Sequence, residues 1–568
     1  MHVIATAGHV DHGKSTLVRR LTGMEPDRWA EERRRGLTIG LGFAWTTIGD
    51  TEFAFVDVPG HERFVGTMMA GVGPVPAVMF VVAADGGWMP QSAEHLAVLE
   101  ALQVRHGILV ITRADLADPE PALGQAQQYL DFPAVIVSPD HGIEELRATL
   151  TDLRLPQPDT QADVRLWIDR SFTIDGAGTV VTGTLAAGTI SVGDELVVGS
   201  RTVRVKGIHT LGRQAQRVTA VARVALNLRG VERSAIRHGD ALCTPDAWTE
   251  TTVVDVRVHS ELTRHLVLHI GSAAVPVHVR PLGTHAARLR LRTPLPLRIG
   301  DRVVLRDPGR HEIAAGADVL DIDPPALSRR GDARRRAADL GSAVDLTAFH
   351  LAKKGSLRPE DLRKLGLSKP DMALTDGWYV DADRAAALMP DPASGPSTVR
   401  SEVDKWDPLS PMPLEALRQR LDLPDIALAA TFARRAGFTV HEGRITTSVR
   451  LPAGIDQVVA HLKETPFRPP DAGQLRELGI GPKEIAAAVR AGALIKLADS
   501  VVLLPDALDQ AIKTLTGSPF TPTQAKQALG STRRVVIPLL ERLDALSVTE
   551  HHPDGTRTIC APRVHWVP

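Results

Sequence analysis

The stretch that decides the fold of the N-terminal part is "GHVDHGKST", residues 8–16. It follows the apolar run "HVIATA" (2–7) and opens the helix-like "STLVRRLTG" (15–23). The spacing G-x-x-x-x-G-K-S between a strand and a helix is typical of a loop whose backbone N–H groups hold phosphates. Lys14 would reach the outer phosphates, and the Ser15 hydroxyl would bind Mg²⁺. The predicted nucleotide-binding residues here are Gly8, His9, Val10, Asp11, His12, Gly13, Lys14, Ser15 and Thr16.

A second motif predicts hydrolysis of the bound nucleotide. "FAFVDVPGHERF" (53–64) gives an apolar strand that ends at Asp57, a position suited to Mg²⁺, and the Gly60 amide can sense a third phosphate. Between the two motifs, "ERRRGLTIG" (32–40) places Thr38 in a charged segment that binding of its hydroxyl to Mg²⁺ would order. Arg33 to Arg35 are interpreted as a solvated helix end. The predicted metal ligands are therefore Ser15, Thr38 and Asp57.

Two later strands predict the nucleotide base. "GILVIT" (107–112) leads into Thr112, Arg113 and Asp115, and "AVIV" (134–137) ends at Ser138. In P-loop GTPases these strand ends hold the base, and a carboxylate there accepts the two N–H groups that guanine presents and adenine lacks. Alternating strands and helices put all these loops at the carboxyl edge of one parallel sheet. We therefore expect a GTP-binding α/β domain over 1–160.

Composition sets the remaining limits. A chain of 568 residues exceeds one core, and we expect about three to five domains. The net charge of −1 means that any nucleic-acid surface must be a local basic patch. Two cysteines far apart argue against a disulfide framework or a zinc module. Without a signal-peptide pattern or an apolar run long enough to span a bilayer, the expected protein is a cytoplasmic monomer that does not contact membranes.

The middle of the chain is predicted to form two small β-barrels. From about residue 162 to 325, short β-rich runs such as "GTVVTGTL" (178–185) and "ARLRLR" (287–292) alternate with glycine turns. We assign the barrels to 161–247 and 248–327. The basic run "RRGDARRR" (329–336) that follows enters a helix at a domain boundary, and we interpret it as a solvated linker, with RNA contact as the alternative.

A repeat of roughly 54 residues fills the C-terminal part. Each copy gives a helix, a tight turn, a second helix and a β-like pair, which is the pattern of a winged helix. The second helices are expected at segments such as "SKPDMA" (368–373) in the first copy and "STRRVV" (531–536) in the fourth. The four predicted copies occupy 328–392, 393–452, 453–505 and 506–568.

Charge separates the fourth copy from the others. Its second helix begins with Arg533 and Arg534, Lys526 lies on the preceding helix, and Arg557 lies in the wing. The corresponding helices of the first three copies begin with mixed or acidic residues. A compact basic patch suits recognition of RNA by shape and phosphate. The last winged helix is therefore the predicted nucleic-acid-binding module.

Four motifs together resemble a known family. "GHVDHGKST", "RGLTIG" (35–40), "DVPGHE" (57–62) and "TRAD" (112–115) look like a translational GTPase of the elongation factor Tu superfamily, and the spacing is most similar to selenocysteine-specific elongation factors, the SelB family. In this family the residue at His61 positions the attacking water, and the residues at Asp169, Arg170 and Arg237 surround the aminoacyl group. Arg113 stands where the family usually has lysine.

The resemblance implies a complete function. A SelB protein uses GTP/GDP and Mg²⁺ to deliver selenocysteinyl-tRNA to the ribosomal A site at a recoded UGA codon. Its last winged helix grips an mRNA hairpin (SECIS). Two other functions stay open: a related GTPase, such as a subunit regulating sulfate activation, and a GTP-regulated nucleic-acid-binding regulator that never handles tRNA.

Overall fold

A computed structural model describes residues 1–26, 38, 40–176, 178–389, 397–406, 411–446, 451 and 453–560. The predicted helix end at Arg33 to Arg35 lies outside these residues. The chain forms two compact units, one of residues 1–353 and 357–371, the other of residues 354–356 and 372–568. Within the described ranges, no helix is both long and apolar enough to cross a membrane.

The N-terminal domain is a six-stranded sheet in the order β2-β3-β1-β4-β5-β6, parallel except for β2. Both faces are covered, so β4 is buried along its whole length, as expected of a parallel-sheet strand. The strands are β1 (His2–Ala7), β2 (Gly42–Ile48), β3 (Thr51–Asp57), β4 (Ala77–Ala83), β5 (His106–Thr112) and β6 (Ala134–Ile136). The helices are α1 (Lys14–Thr22), α2 (Val65–Val72), α3 (Pro90–Leu102), α4 (Glu120–Gln127) and α5 (Ile143–Asp152). A short 3₁₀ helix spans Glu62–Phe64.

The next domain is an eight-stranded antiparallel sheet around its own apolar core. Its main path runs β7-β16-β11-β12-β15-β9-β8, with β13 paired to β12, and β10 and β14 form a separate pair. The strands are β7 (Arg165–Trp167), β8 (Arg170–Ile174), β9 (Gly178–Leu185), β10 (Thr189–Ser191), β11 (Glu195–Val198), β12 (Arg201–Thr210), β13 (Arg213–Ala215), β14 (Arg217–Thr219), β15 (Ala222–Arg229) and β16 (Ala241–Cys243).

A closed six-stranded barrel follows, in the order β17-β20-β19-β18-β21-β22. Buried and exposed residues alternate along β19, as expected where one face of a strand lines a barrel interior. The strands are β17 (Thr249–Arg257), β18 (His265–Ile270), β19 (Ala273–Pro281), β20 (Ala286–Leu297), β21 (Arg302–Asp307) and β22 (Glu312–Asp321).

The basic run 329–336 has four exposed arginines and one buried arginine, Arg336. It leads into α6 (Asp332–Ser342), which packs Leu340 against apolar side chains of the barrel. The Arg336 side chain is only 5% exposed, and its Nε donates to Asp255 Oδ2 at 2.7 Å while Nη2 donates to Asp321. A buried guanidinium needs such carboxylate partners. The linker interpretation is therefore wrong for Arg336, and the first unit continues past the predicted boundary at residue 327.

The first C-terminal copy also differs from the prediction. It has α7 (Leu346–Lys354), β23 (Ser356–Leu357), α8 (Pro359–Leu365), β24 (Tyr379–Val380) and α9 (Ala382–Leu388). The predicted second helix at 368–373 is not formed. Asp376 and Gly377 both adopt positive φ, and the stretch between Pro370 and this turn is too short for a helix like those of the later copies.

The three later copies have the winged-helix elements. The second contains α10 (Thr398–Asp404), β25 (Met412–Pro413), α11 (Leu414–Arg420), α12 (Ile426–Arg435), β26 (Thr439–His441) and β27 (Arg444–Thr446). The third contains α13 (Ala453–Glu464), α14 (Ala472–Glu477), α15 (Pro482–Arg490), β28 (Ile495–Ala498) and β29 (Val501–Leu503). The fourth contains α16 (Ala507–Leu515), α17 (Pro522–Ala528), α18 (Arg533–Ala545), β30 (Thr549–His551) and β31 (Arg557–Ile559). The last two copies share one continuous apolar core.

Candidate functional site

The loop between β1 and α1 has the geometry of a phosphate cradle. Gly8, Asp11 and Gly13 all adopt positive φ. A Cβ on Gly8 would lie 2.1 Å from the Val81 carbonyl oxygen, so only glycine fits there. Lys14 Nζ donates to the Gly8 carbonyl at 3.0 Å and to the His9 carbonyl at 2.7 Å. The ammonium group is therefore held over the loop, next to where phosphates would bind.

The three predicted Mg²⁺ ligands lie together. Ser15 Oγ donates to Asp57 Oδ2 at 2.6 Å and lies 3.1 Å from Thr38 Oγ1. Asp57 is fully buried, and its Oδ1 accepts a hydrogen bond from Thr6 Oγ1 at 2.7 Å. Two hydroxyls and a carboxylate are the oxygen donors that Mg²⁺ prefers. These residues fit a magnesium ion that would also contact nucleotide phosphates.

Gly60 and His61 follow β3 at the open side of the cradle. A Cβ on Gly60 would lie 2.5 Å from Lys14 Nζ and 2.6 Å from the Val10 backbone nitrogen. The absence of a side chain therefore allows this backbone to touch the phosphate loop. The half-buried His61 ring accepts a hydrogen bond from the Arg63 amide at Nδ1, at 3.3 Å. Its other nitrogen is available to a water molecule.

The predicted base-binding residues lie at the ends of the adjacent strands β5 and β6. Thr112 Oγ1 donates to the His12 carbonyl at 2.7 Å, which ties the base end to the phosphate loop. Arg113 forms an ion pair with Asp85, Nη1 to Oδ2 at 3.1 Å, and also donates to the Asp11 carbonyl. Its guanidinium group therefore braces the phosphate loop. Asp115 is exposed, and Ser138 follows β6.

Two supporting residues were missed by the sequence analysis. The Gly8 amide donates to His95 Nδ1 at 2.9 Å, and the Val10 amide donates to Gln91 Oε1 at 3.2 Å. Burial, reinforced by the charge of Lys14, lowers the pKa of His95 to about 3, so its ring is neutral and can accept. The i, i+4 spacing of the two residues in "PQSAEHLAV" (90–98) was an available signal, because it puts both on one face of α3.

Asp169 and Arg170 lie beside a cavity of about 250 Å³ between the first two domains. Arg170 lines this cavity and donates to the Leu41 carbonyl. Asp169 is paired with Arg223, Nη2 to Oδ1 at 2.8 Å, and accepts from Thr182 Oγ1 at 2.6 Å. Arg223, which the sequence analysis did not name, lines the same cavity. Nothing in the amino-acid sequence of β15 distinguishes Arg223 from a surface arginine.

Arg237 is not part of this cavity. It lines another one, of about 490 Å³, together with Arg201, Trp248 and Glu250. Its backbone amide donates to Asp240 Oδ2 at 2.8 Å. The structure thus groups Asp169 and Arg170 with Arg223, and places Arg237 elsewhere.

The four cations of the last copy differ in availability. Arg557 is 14% exposed and forms an ion pair with Asp544, Nη2 to Oδ2 at 3.0 Å. Arg534 donates to the carbonyls of Pro469 and Pro470, at 3.3 and 3.2 Å, in the preceding copy. The Lys526 and Arg533 side chains form no hydrogen bond or ion pair with any residue in the described ranges. These two are the cations that remain available to a ligand.

Three protein-family models match segments of this chain. The elongation factor Tu GTP binding domain matches residues 1–232, the β-barrel domain of selenocysteine-specific elongation factor matches 249–326, and the elongation factor SelB winged helix matches 511–558. Elongation factor Tu 2 of Streptomyces avermitilis is 32% identical over 298 residues, which cover 46% of this chain and 76% of that protein. The chain belongs to the elongation factor Tu superfamily.

SelB relatives match over a shorter share of their own length. The selenocysteine-specific elongation factor of Escherichia coli is 38% identical over 352 residues, 58% of this chain, and the match spans only 56% of the relative. A crystal structure of a bacterial selenocysteine-specific elongation factor, EF-Sec, superposes with a TM-score of 0.71 over 99% of this chain and 100% of that one. Because the two sequences are only 24% identical, the superposition on EF-Sec shows that the two proteins share a fold.

The SelB profiles also fall on the parts described above. The barrel profile covers the closed barrel, and the winged-helix profile covers α17, α18 and the final hairpin, where Lys526 and Arg533 lie. The GTP-binding profile includes the phosphate cradle, the three oxygen ligands and the cavity lined by Arg170 and Arg223. Each candidate site residue except Arg237 thus lies within a family-matched segment.

Proposed function

We propose that this chain is a GTPase that delivers selenocysteinyl-tRNA to the ribosomal A site at recoded UGA codons, tethered to an mRNA hairpin by its last winged helix. The observation that carries the proposal is the arginine-lined cavity beside β2, the strand that follows the predicted magnesium ligand Thr38. The cavity, which suits an anionic side chain, therefore lies next to a strand that begins close to the nucleotide site.

The nucleotide part of the proposal rests on named roles. Lys14 and the loop amides would bind the phosphates of GTP, and Mg²⁺ held by Ser15, Thr38 and Asp57 would neutralise their charge. His61 would orient the attacking water, and the ribosome would stimulate the reaction. Loss of the third phosphate would release Thr38 and the Gly60 backbone.

The cavity supports discrimination by charge. A selenol is more acidic than a thiol, so selenocysteine carries a negative charge at a pH where serine is neutral and cysteine, with a pKa of about 8.5, is mostly neutral. Arg170 and Arg223 place two guanidinium groups on the cavity wall, and Asp169 is paired with Arg223. An anion would gain more from these guanidinium donors than a neutral seryl group would.

The C-terminal module supports an RNA tether. Two cations are available there: Arg533 at the start of the reading helix, and Lys526 on the helix before it. Attachment to a hairpin near the codon would raise the local concentration of the factor at that codon, and no contact with the codon itself would be needed. The partners proposed are selenocysteinyl-tRNA, the SECIS hairpin and the ribosome, for a monomer acting in the cytoplasm.

The deciding experiment compares selenocysteinyl-tRNA and seryl-tRNA binding to the full chain, with a GTP analogue and with GDP. We expect preference for selenocysteinyl-tRNA with the GTP analogue, and loss of that preference in Arg170→Ala and Arg223→Ala. Arg237→Ala is the matched variant, because Arg237 lies in another cavity.

Other results would point elsewhere. No tRNA binding in either nucleotide state would favour a regulatory GTPase subunit, as in sulfate activation, or a nucleic-acid-binding regulator. Loss of preference in Arg237→Ala but not in Arg223→Ala would return Arg237 to the aminoacyl pocket.

A further inference from the structure

Phe43 connects the nucleotide site to the arginine-lined cavity. It is the second residue of β2 and lies five positions after Thr38, the predicted Mg²⁺ ligand. In the pairing of β2 with β3, Gly42 is opposite Asp57 and Phe43 is opposite Val56. Phe43 therefore lies on a strand that pairs directly with β3, which ends at the predicted magnesium ligand Asp57.

The Phe43 ring lies against both cavity arginines. The guanidinium carbon of Arg223 is 3.8 Å from the ring centroid and that of Arg170 is 5.2 Å from it. The ring is only 9% exposed, so both contacts are largely shielded from water. A guanidinium over an aromatic face is attracted by the electron density of the ring, more strongly where water is excluded.

Arg170 has a second contact with the same segment. It donates to the carbonyl of Leu41, two residues before Phe43. Arg223 is fixed from the other side by Asp169, whose side chain is 6% exposed. Leu41 and Phe43, which follow the predicted Mg²⁺ ligand Thr38, thus contact both cavity arginines, at a backbone carbonyl and at an aromatic face.

We propose that Phe43 is the positioning residue that makes the anion-binding capacity of this cavity depend on the bound nucleotide. When Thr38 and Asp57 hold Mg²⁺ and a third phosphate, Phe43 and Leu41 hold the two guanidinium groups at the cavity wall. When that hold is lost, β2 shifts, the aromatic face leaves the arginines, and the cavity loses its fixed positive groups. The identity of the anion rests on the proposed function. The coupling between the nucleotide site and the cavity does not depend on that function.

The charged and titratable groups around the cavity are consistent with this role. Arg170, Arg223 and His209 line it, and Asp169 balances one arginine from behind. Guanidinium groups on a cavity wall are donors suited to an anionic occupant. Four aromatic side chains, Phe43, Trp45, Phe55 and Phe172, line the same cavity, and in the described part of the chain Phe43 is the one of these four with a guanidinium over its ring.

The first test measures the coupling without tRNA. Reaction of Arg170 with phenylglyoxal, followed by peptide mass spectrometry, reports its accessibility in the full-length protein with GDP and with a GTP analogue. We expect slower reaction with the GTP analogue in the wild type. In Phe43→Leu, which keeps an apolar side chain and removes the aromatic face, we expect this difference to shrink about threefold to tenfold.

Two further variants separate positioning from folding. Phe43→Tyr keeps an aromatic face and should restore the nucleotide-dependent difference. Phe172→Leu is the matched control, because it changes an aromatic residue of the same cavity that has no arginine over it. GDP affinity should stay at the wild-type value in all three variants, which shows that the nucleotide domain is folded.

The second test measures binding of selenocysteinyl-tRNA and seryl-tRNA with both nucleotides. Phe43→Leu should lower the ratio of affinities between the GTP and GDP states for selenocysteinyl-tRNA, by about tenfold, and Phe172→Leu should not. Equal Arg170 reactivity in both nucleotide states of the wild type would overturn the coupling. Nucleotide-dependent reactivity in a wild type that does not prefer selenocysteinyl-tRNA would instead overturn the proposed function and leave the coupling standing.

Discussion

His61 is the residue on which hydrolysis should depend most. Its ring follows the Asp57 strand and is half-buried, so a water molecule can reach it. We predict that His61→Ala lowers ribosome-stimulated GTP hydrolysis by about 100-fold or more, because positioned acid–base groups contribute roughly that much. GDP affinity should change little.

The neighbouring Arg63→Ala is the control for His61, since Arg63 is exposed on the same turn. Its hydrolysis rate should match the wild type. A His61→Ala protein that hydrolyses GTP at the wild-type rate would show that another group orients the water.

His95 makes the stability of the N-terminal domain depend on pH. Burial lowers the pKa of His95 in the folded protein to about 3, below the value of 6.5 expected when unfolded. Between these values the unfolded state binds more protons, so the free energy of unfolding falls as pH falls below about 6.5, by at most about 1.4 kcal/mol per pH unit.

His95→Asn tests this dependence, because an asparagine oxygen can still accept the Gly8 amide hydrogen bond but does not titrate. The melting temperature of the wild type should drop more between pH 7 and pH 5 than that of the variant. Parallel curves for the two proteins would contradict the assignment.

At this scale the sequence predicted three oxygen ligands, Ser15, Thr38 and Asp57, that the structure brings together, and their contacts with nucleotide and Mg²⁺ stay predictions. "GHVDHGKST", Asp57 and Thr38 are local signals, because phosphate and Mg²⁺ demand particular residues at particular spacings. Arg223 could not be predicted, because it acts on a residue far along the chain, Asp169. His95 acts on the distant Gly8, and its spacing from Gln91 on one helix was the only signal for it. Burial and partners of that kind exist only after the domains have packed.

At the scale of elements, helix α6 depends on one buried arginine. Arg336 donates to Asp255 and Asp321, and all three side chains are at most 6% exposed. We predict that Arg336→Ala lowers the free energy of unfolding of the first unit by about 3–5 kcal/mol, because it removes the guanidinium paired with the buried Asp321, whereas Asp255 keeps Arg288. Calorimetry of the full chain measures the corresponding transition.

Arg335→Ala is the matched control, one residue earlier on the same helix. Arg335 is 66% exposed in its contact with Asp332, so its loss should cost less than about 1 kcal/mol. Equal effects of the two substitutions would mean that α6 does not depend on the buried pair.

The same helix shows why element-level prediction failed in places. The sequence "RRGDARRR" has the composition of a solvated linker, and only the carboxylates of β17 and β22 make one of its arginines a core residue. The missing helix at 368–373 has the opposite cause. The repeat pattern predicted it, but the local turn chemistry at Asp376 and Gly377 prevailed.

At the scale of the whole molecule, RNA binding is predicted to depend on Arg533. We expect Arg533→Ala to weaken binding of a short RNA hairpin taken from beside a recoded UGA codon by about fivefold to tenfold. The slope of log affinity against log salt should fall by roughly one, because one phosphate contact is lost. Filter binding over a series of salt concentrations measures both quantities.

Lys513→Ala is the control for Arg533, since Lys513 is exposed on α16 of the same module, away from the reading helix. Its affinity and salt slope should match the wild type. Arg557→Ala should instead loosen the wing, because that arginine is occupied by Asp544. Hairpin affinity unchanged by loss of Arg533 would rule out this surface.

The common core of the last two winged helices has a consequence for damaged chains. Buried side chains such as Leu462 and Leu503 of the third copy belong to the same cluster as Leu540 of the fourth. A frameshift or a proteolytic cut between the copies would therefore not yield a shorter factor that merely lacks its anchor. It would expose apolar surface on the remaining fragment and make it a substrate for quality control.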